Sequence, residues 1–226
     1  MNVLGIDTAT AVASVALLAD GRVLAEARSD TAGHRADLLV LVDDVCRRAG
    51  VAGRDLVGVA IGAGPGSFTG LRIGMATAKG IAFAAQRPLW AVSSLAALAE
   101  AELEREPSGF VVGVLDARRG EVYAGAYRHA STGIALVGDE RVLPPGELPG
   151  FAPPGARFAG DAATAYPELA GLPGTWGVTP SGAAVARLAL AGSRVDVLVT
   201  GSPSYIRPSE AEVKYPDGVP GALRKR

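Results

Sequence analysis

The stretch MNVLGIDTATAVASVALLADGRVLAEARS, residues 1–29, decides the fold, because its breaks divide it into three short apolar runs. The first break is the polar segment from Asp7 to Thr10, and the second is the pair Asp20-Gly21. An Asp-Gly pair between alternating apolar runs is a strong signal for a two-residue β-hairpin. The stretch therefore predicts three consecutive antiparallel strands.

The apolar spacing becomes helical after this stretch. From Gly33 to Ala49 one predicted helix face carries Leu38, Val42 and Val45. There follow a buried strand at 57–61, a helix at about 69–85, a short strand at 89–92, and a helix capped by Ser93 or Ser94. Three antiparallel strands followed by alternating helices and strands is the order of a ribonuclease H-like lobe.

A second lobe is predicted because FVVGVLDARRGEVYAGAY, residues 110–127, copies the opening stretch. Asp116 ends an apolar strand just as Asp7 does, and a polar turn and an alternating strand follow it. We expect an α/β protein with two ribonuclease H-like lobes, the actin-like and sugar-kinase superfold. The predicted lobes are residues 1–105 and 106–200, and the tail at 201–226 has no predicted place.

The two aspartates at the strand ends allow two interpretations. In nucleotide-binding proteins of this architecture such hairpins grip phosphates, and Asp7 and Asp116 would face a magnesium ion in the cleft between the lobes. Alternatively, each aspartate caps its own turn, since Asp accepts hydrogen bonds from nearby backbone. The first interpretation makes the protein an ATPase or phosphotransferase, and the second gives the aspartates a structural role.

The glycine-rich loop GAGPGSFTGLRIG, residues 62–74, matches neither standard phosphate motif, because no lysine precedes Lys79 and no GxGxxG is present. It begins a helix, so Gly64, Gly66 and Ser67 are candidates for an anion contact. We favour a strand-to-helix turn. The only histidines, His34 and His129, are far apart in sequence and form no metal-binding pair, so no metal site is expected.

The helix after this loop predicts a partner surface. A row of small residues would form its core face: Gly70, Gly74, Ala78 and Ala82. The opposite arc carries Arg72, Met75, Lys79, Phe83 and Gln86, in which two large apolar side chains alternate with cations. The preceding helix adds Leu39, Leu41 and Val42 to this expected interface. The alternative is that the second lobe or the tail covers the stripe.

Composition limits the classes of function. The 226-residue chain is 49% hydrophobic and has a formal net charge of -1, which predicts a folded core and excludes a global basic field for nucleic acid. If RNA is involved, we expect another subunit to hold it. A single cysteine, Cys46, and the lack of an apolar run long enough for a bilayer predict a soluble, cytoplasmic protein without membrane contact.

Five segments together resemble a known family. They are VLGIDTAT (3–10), GHRADLLVLVDDV (33–45), GAGPGSFTGLRIGMATAKGIA (62–82), LDARRGEVYAGAY (115–127) and PSYIRPSEAE (203–212). In this order and at these spacings they are similar to the bacterial TsaB (YeaZ) family. The sequence departs mildly at Ala9, where the family more often has serine, which weakens any phosphate role for that turn.

The resemblance implies a function in tRNA modification. It implies a non-catalytic partner that activates TsaD in forming N6-threonylcarbamoyladenosine next to the anticodon of tRNAs reading codons that begin with A. TsaD would bind through the first-lobe helices, the ATPase TsaE would join the pair, and tRNA would be reached only through the complex. No cofactor is expected.

Two further expectations concern the helices. TsaD-type proteins carry a metal-binding HxxxH, and this chain has His34 followed by Leu38, which favours the non-catalytic subunit. Without TsaD the exposed stripe would need covering, so we expect a two-fold homodimer through the same helices. In that dimer Arg72 and Lys79 would meet acidic residues of the other copy: Asp37, Asp43 or Asp44.

Overall fold

The computed structural model describes residues 1–29, 38–131, 133–192 and 194–207, which form two five-stranded sheets. The first sheet has the order β3-β2-β1-β4-β5 and the second has the order β10-β9-β6-β7-β8. The strands of the first sheet are β1 (Asn2–Asp7), β2 (Ser14–Ala19), β3 (Arg22–Arg28), β4 (Leu56–Gly62) and β5 (Leu89–Val92). Those of the second are β6 (Phe110–Arg118), β7 (Glu121–Ala130), β8 (Gly133–Leu143), β9 (Arg157–Gly160) and β10 (Gly174–Trp176).

The two sheets have the same topology, which confirms the predicted duplication. In each, the first three strands are antiparallel neighbours, and the last two continue parallel to the first strand on its other side. The predicted hairpin at Asp20-Gly21 is also confirmed, since both residues have positive φ. The ribonuclease H-like lobes of an actin-like fold are therefore present, although β9 and β10 arise where the sequence shows little periodicity.

Among the described residues, five α-helices surround the sheets: α1 (Leu38–Ala49), α2 (Phe68–Ala85), α3 (Ser94–Arg105), α4 (Leu148–Phe151) and α5 (Gly182–Ala191). The side chains of Ser67, Ser93 and Ser181 cap α2, α3 and α5 by accepting backbone N–H groups of the first turn. Of the two caps predicted for α3, Ser93 and Ser94, Ser93 is the one used.

The helices cover the first sheet on both faces. Helices α1 and α2 lie on one face, where Leu4, Ile6 and Met75 belong to the same apolar cluster. Helix α5 lies on the other face, against Val3 and Leu18. The alternation of β1 side chains between the two clusters follows from the two-residue period of a strand.

The two halves of the chain exchange helices. Helix α5 follows the second sheet in sequence, yet it packs on the first sheet, where a Cβ at Gly5 would lie 2.0 Å from the Gly182 carbonyl oxygen. Helix α3 follows the first sheet but packs on the second, where Gly113 makes the same kind of close approach to Leu95. The division into 1–105, 106–200 and 201–226 stays a prediction, and helix packing crosses its first boundary twice.

Residues 194–207 form a C-terminal strap that the sequence did not place. It starts beside β5, where the Val197 N–H donates to the Leu89 carbonyl oxygen at 2.8 Å. It then passes along α2 to the glycine-rich loop, where the Ser204 N–H donates to the Ala63 carbonyl oxygen at 2.7 Å. Arg207 ends it by forming an ion pair with Glu121 of the second sheet. The strap thus connects both halves.

None of the helices in the described part of the chain is long and apolar enough to cross a membrane.

Candidate functional site

The glycine-rich loop is a tightly packed turn. A Cβ at Gly62 would lie 1.8 Å from Asp7 Oδ2, and a Cβ at Gly66 would lie 2.4 Å from the Ala9 carbonyl oxygen. The Ser67 N–H donates to the same Ala9 oxygen at 2.6 Å. The glycines therefore let β4 and the start of α2 lie directly against the turn that follows β1. This packing accounts for the glycines as a strand-to-helix turn.

Asp7 is fully buried beneath this loop. Its Oδ1 accepts the Ala9 N–H at 2.8 Å, and its Oδ2 accepts the Ser94 hydroxyl at 2.7 Å. Burial raises the pKa of Asp7 to about 6, an effect opposed by the Ala9 and Ser94 hydrogen bonds and by the charge of Arg28. Asp7 therefore joins the first turn to the start of α3, as the structural interpretation predicts.

Asp116 lies in a cleft between the two sheets with a volume of about 380 Å³. Its Oδ1 accepts the backbone N–H of Arg118 at 2.7 Å, and the side-chain Nη1 of Arg118 lies 3.2 Å from its Oδ2. The backbone N–H of Asp116 donates to Oδ1 of Asp161 at 3.2 Å. Burial is the main cause that raises the pKa of Asp161. Asp161 follows β9 and has no recognisable motif around it, so it was not predicted from the sequence.

The structure does not bring Asp7 and Asp116 into one site. Asp116 lines the cleft with Gly66 and Ser67, whereas Asp7 is absent from the cleft wall and has no exposed surface. Gly5 of β1 and Gly113 of β6 each face the helix that packs on their sheet. Asp7 lies two residues after Gly5 and so shares its face, whereas Asp116 lies three residues after Gly113 and so points to the opposite face. The two carboxylates therefore leave opposite faces of equivalent strands. Within the described residues, no group of three or more His, Cys, Asp or Glu side chains is arranged to hold a metal ion.

Of the three loop positions proposed for an anion, only two reach the cleft. Gly66 and Ser67 line it, but Gly64 faces the interior, where its carbonyl oxygen accepts the Ser94 N–H at 2.8 Å. Ser67 uses its hydroxyl oxygen to accept the Gly70 N–H at 3.4 Å as the cap of α2. An anion contact at this loop stays a prediction.

The predicted core row of α2 is confirmed. Gly70, Gly74, Ala78 and Ala82 are all buried, and a Cβ at Gly74 would lie 2.1 Å from the Thr8 hydroxyl oxygen. Met75, in contrast, is only 5% exposed and belongs to the core, so the prediction that it faces outward is wrong.

The exposed line of α2 coincides only in part with the predicted stripe, since Arg72, Phe83 and Gln86 are exposed but Met75 is buried and Lys79 is half-buried. It consists of Thr69, Arg72, Ala76, Gly80, Phe83 and Arg87. The strap contacts two residues of the stripe: Arg72 Nε donates to the Tyr205 hydroxyl at 3.0 Å, and Lys79 Nζ donates to the Val199 carbonyl oxygen at 3.5 Å. Coverage of the stripe by the tail was the alternative that the sequence left open, and it is correct in part for Lys79, which is half-buried and contacts the strap. Met75 is buried instead in the apolar cluster of the first sheet, α1 and α2.

Several apolar side chains nevertheless remain exposed on this face. Phe83 is 77% exposed at the last turn of α2, while Leu39 and Val40 are 60% and 64% exposed at the first turn of α1. Leu41 and Val42 are partly buried and pack against the core. Val40 was not among the residues predicted for the interface. Both helices connect strands of the same direction, so they run the same way and place these residues at opposite ends of the layer.

Some of the charged residues expected to pair between two copies of the chain have partners within their own chain. Asp44 binds Arg47 and Arg48 of its own helix, and the Arg72 guanidinium lies 3.9 Å from the centre of the Phe68 ring. Asp43 is exposed on α1. His34 and Asp37 lie outside the described residues, as does the end of the PSYIRPSEAE segment.

A family model, a solved structure and a relative of similar length all match most of this chain. A family model described as "TsaD: tRNA N6-adenosine threonylcarbamoyltransferase" matches residues 28–212. The solved structure of YeaZ from Pseudomonas aeruginosa has a TM-score of 0.79 and 33% identity, covering 90% of this chain and 99% of that one. An uncharacterised protein of Mycobacterium tuberculosis (strain H37Rv) is 32% identical, covering 93% of this chain and 94% of its own length.

A curated relative carries a functional name. The tRNA threonylcarbamoyladenosine biosynthesis protein TsaB of Escherichia coli (strain K12) is 40% identical over 134 residues, 59% of this chain. The match spans 58% of that protein, so the chain spans little more than half the length of this curated relative.

Proposed function

Because this chain belongs to the family of that threonylcarbamoyltransferase model and, within it, to the TsaB (YeaZ) proteins, we propose that it acts in tRNA threonylcarbamoyladenosine biosynthesis as the non-catalytic partner of TsaD. In this role it activates TsaD, which forms N6-threonylcarbamoyladenosine next to the anticodon of tRNAs reading codons that begin with A. TsaE joins the pair, and the complex acts in the cytoplasm.

The observation that carries this proposal is the exposure of Phe83. A phenylalanine that is 77% exposed at the end of an otherwise well-packed helix is typical of a contact for another protein. The neighbouring exposed positions Ala76 and Gly80 are small, and no atom lies within 4 Å of a Cβ placed at Gly80. A partner helix can therefore approach the α2 backbone closely between Arg72 and Phe83.

The same surface supports a two-fold homodimer in the absence of TsaD, and the two assemblies exclude each other. The charge pairing expected from the sequence has less support, because Asp44 and Arg72 already have partners within the chain. The dimer would rest instead on Phe83 and the exposed line of α2. This surface meets the cleft that Asp116 lines only at Thr69, in the first turn of α2.

The phosphotransferase alternative has little geometric support. It needs Asp7 and Asp116 to reach one magnesium ion, yet both oxygens of Asp7 accept hydrogen bonds inside the protein. Moving Asp7 into the cleft would break its bond to Ser94. Loss of ATP turnover by the purified chain on Asp7→Ala would favour this alternative.

Phe83→Glu tests the proposed function. A carboxylate in an apolar contact costs several kcal/mol, so we expect the substitution to abolish both TsaD binding and the homodimer. Leu136→Glu on β8 is the matched control, because Leu136 is also an exposed apolar residue, at 45%, but lies on the second sheet. Binding is measured by sedimentation, and activity by tRNA modification in a reconstituted system with and without the chain.

The two variants should give opposite results. We expect Leu136→Glu to bind TsaD and support modification as the unchanged chain does. If modification proceeds equally well without the chain, or if Phe83→Glu still binds and activates TsaD, the proposal is wrong. Unchanged circular dichroism of Phe83→Glu shows that the fold is retained.

A further inference from the structure

Arginines gather at the end of the first sheet where β1 and β4 begin and α1 and α2 end. Arg47 and Arg48 lie in the last turn of α1, Arg54 lies in the 3-10 turn before β4, and Arg87 follows α2. Arg87 Nη2 donates to the Arg54 carbonyl oxygen at 3.0 Å, which joins two of these segments directly. We name these four residues the arginine rim.

The rim side chains point into solvent. The exposed fractions of the side chains are 72% for Arg47, 50% for Arg48 and 87% for Arg54, and Arg87 is also exposed. A guanidinium carries five N–H donors, so the few contacts within the chain leave most rim donors available to a ligand.

The aspartates at this end are mostly committed to contacts inside the chain. Asp20 binds the amino terminus, and Asp44 binds Arg47 and Arg48. Asp55 accepts the Ala52 N–H at 3.2 Å, and Asp196 accepts backbone N–H groups of Leu89 and Leu198. Arg22 and Arg194 add two further exposed cations at this end. Although the chain has a net charge of -1, its charge is unevenly distributed, and this end is locally basic.

From this arrangement we infer that the arginine rim binds the phosphate backbone of RNA. Guanidinium groups bind phosphate oxygens by paired hydrogen bonds, and several guanidiniums on separate segments can follow successive phosphates of one strand. This inference rests on the proposed function, which supplies a tRNA substrate. It revises the expectation, drawn from the overall charge, that another subunit alone holds the RNA.

An acidic protein surface fits the rim less well. Stable protein interfaces need an apolar centre, whereas the segment between Arg48 and Arg54 offers only small or partly buried residues: Ala49, Gly50, Val51, Ala52 and Gly53. The exposed aromatic residue nearest in sequence, Phe83, belongs to the surface proposed for TsaD. The rim therefore forms a polar margin next to that surface, where RNA bound by the complex can extend onto this chain.

The test measures binding of a labelled tRNA transcript to the purified chain alone, by fluorescence anisotropy over a series of KCl concentrations. The rim variant combines Arg47→Glu with Arg54→Glu, because both side chains are highly exposed. The control combines Arg128→Glu with Arg141→Glu, two exposed arginines of the second sheet, and changes the net charge by the same amount. We expect the rim variant to weaken binding about tenfold or more and to reduce the salt dependence, the slope of log K against log[KCl], by about two.

Several results would overturn the inference. These are undetectable tRNA binding by the unchanged chain at low salt, and equal effects of the rim and control variants. A rim variant that loses TsaD binding in the absence of RNA, yet keeps its tRNA affinity, would identify the rim as a protein contact. Since tRNA binding is measured without TsaD, these results remain interpretable even if TsaD does not bind the chain.

Discussion

At the scale of single residues, Asp7 shows how a buried carboxyl group couples folding to pH. Burial raises its pKa from the ordinary value of 3.8 to about 6, so the folded protein holds this proton more tightly than the unfolded chain does. The resulting stabilisation is complete below about pH 4 and is lost as the pH rises through the folded-state pKa. Its magnitude is about 3 kcal/mol, because one pKa unit corresponds to about 1.4 kcal/mol.

Asp7→Asn should remove this pH dependence. An asparagine can still accept the Ala9 N–H and can donate to the Ser94 hydroxyl, so the variant should fold. We expect the unfolding free energy of the unchanged protein to fall more steeply than that of the variant between about pH 4 and pH 7. Urea unfolding at several pH values measures this, with Asp139→Asn on β8 as an exposed control. Parallel curves for the Asp7 variant and the unchanged protein would contradict the prediction.

At the scale of elements, helix α2 has two kinds of glycine. Gly74 faces the core, where a Cβ would lie 2.1 Å from the Thr8 hydroxyl oxygen, and Gly80 faces solvent with no neighbour within 4 Å of a Cβ. The first glycine allows close packing of helix and turn. The second only lowers the helix propensity of an exposed position.

Alanine at these two positions should therefore have opposite effects on stability. We expect Gly80→Ala to raise the unfolding free energy by about 1 kcal/mol, because alanine is the better helix former. Gly74→Ala should lower it by about 1–3 kcal/mol or more, because the added methyl overlaps Thr8. Chemical denaturation of both variants measures the difference, and a shift of the same sign in both would show that the packing at Gly74 is not as described.

The sequence predicted the parts of α2 that depend on local pattern. The core row of Gly70, Gly74, Ala78 and Ala82 follows from helical periodicity alone. The burial of Met75 could not be predicted in this way, because it depends on how α2 packs against the first sheet and α1. The same reason applies to α5, whose apolar residues identify a helix but not the sheet it covers.

The candidate site was predictable to a similar degree. The sequence identified Asp7 and Asp116 as strand ends because the two hairpins repeat, but repetition did not show which face each carboxylate leaves. Phe83 was identified because an exposed aromatic breaks the polar pattern of its helix face. The arginine rim joins the end of α1, the turn before β4 and the end of α2, which come together only in the folded chain.

At the scale of the whole molecule, the strap is a connection between the lobes in addition to the main chain that links the two sheets. Its Ser204 N–H bonds to Ala63 in the glycine-rich loop, and Arg207 bonds to Glu121 and to the Ala117 carbonyl oxygen in the second sheet. Because these contacts lie at one side of the cleft, the strap restrains the two sheets from moving apart there.

Arg207→Ala should loosen the strap without unfolding the protein. A hydrogen bond to a charged group contributes about 1.5–3 kcal/mol, so we expect the Ser204 amide to exchange hydrogen about tenfold faster or more. Arg194→Ala is the control, since Arg194 donates to Leu190 at the other end of the strap. Hydrogen exchange measured by mass spectrometry compares the two variants, and equal exchange in both would mean that Arg207 does not hold the strap.

The exchange of α3 and α5 between the sheets also determines the order in which the protein can mature on the ribosome. All five strands of the first sheet have been synthesised by Val92, but the helix that covers one of its faces appears only at 182–191. Until then α5 does not cover Val3, Leu18 and Ala60, so the nascent first half presents an apolar sheet face. We expect translation pauses or chaperones acting before residue 182 to affect the yield of this protein more than those acting later.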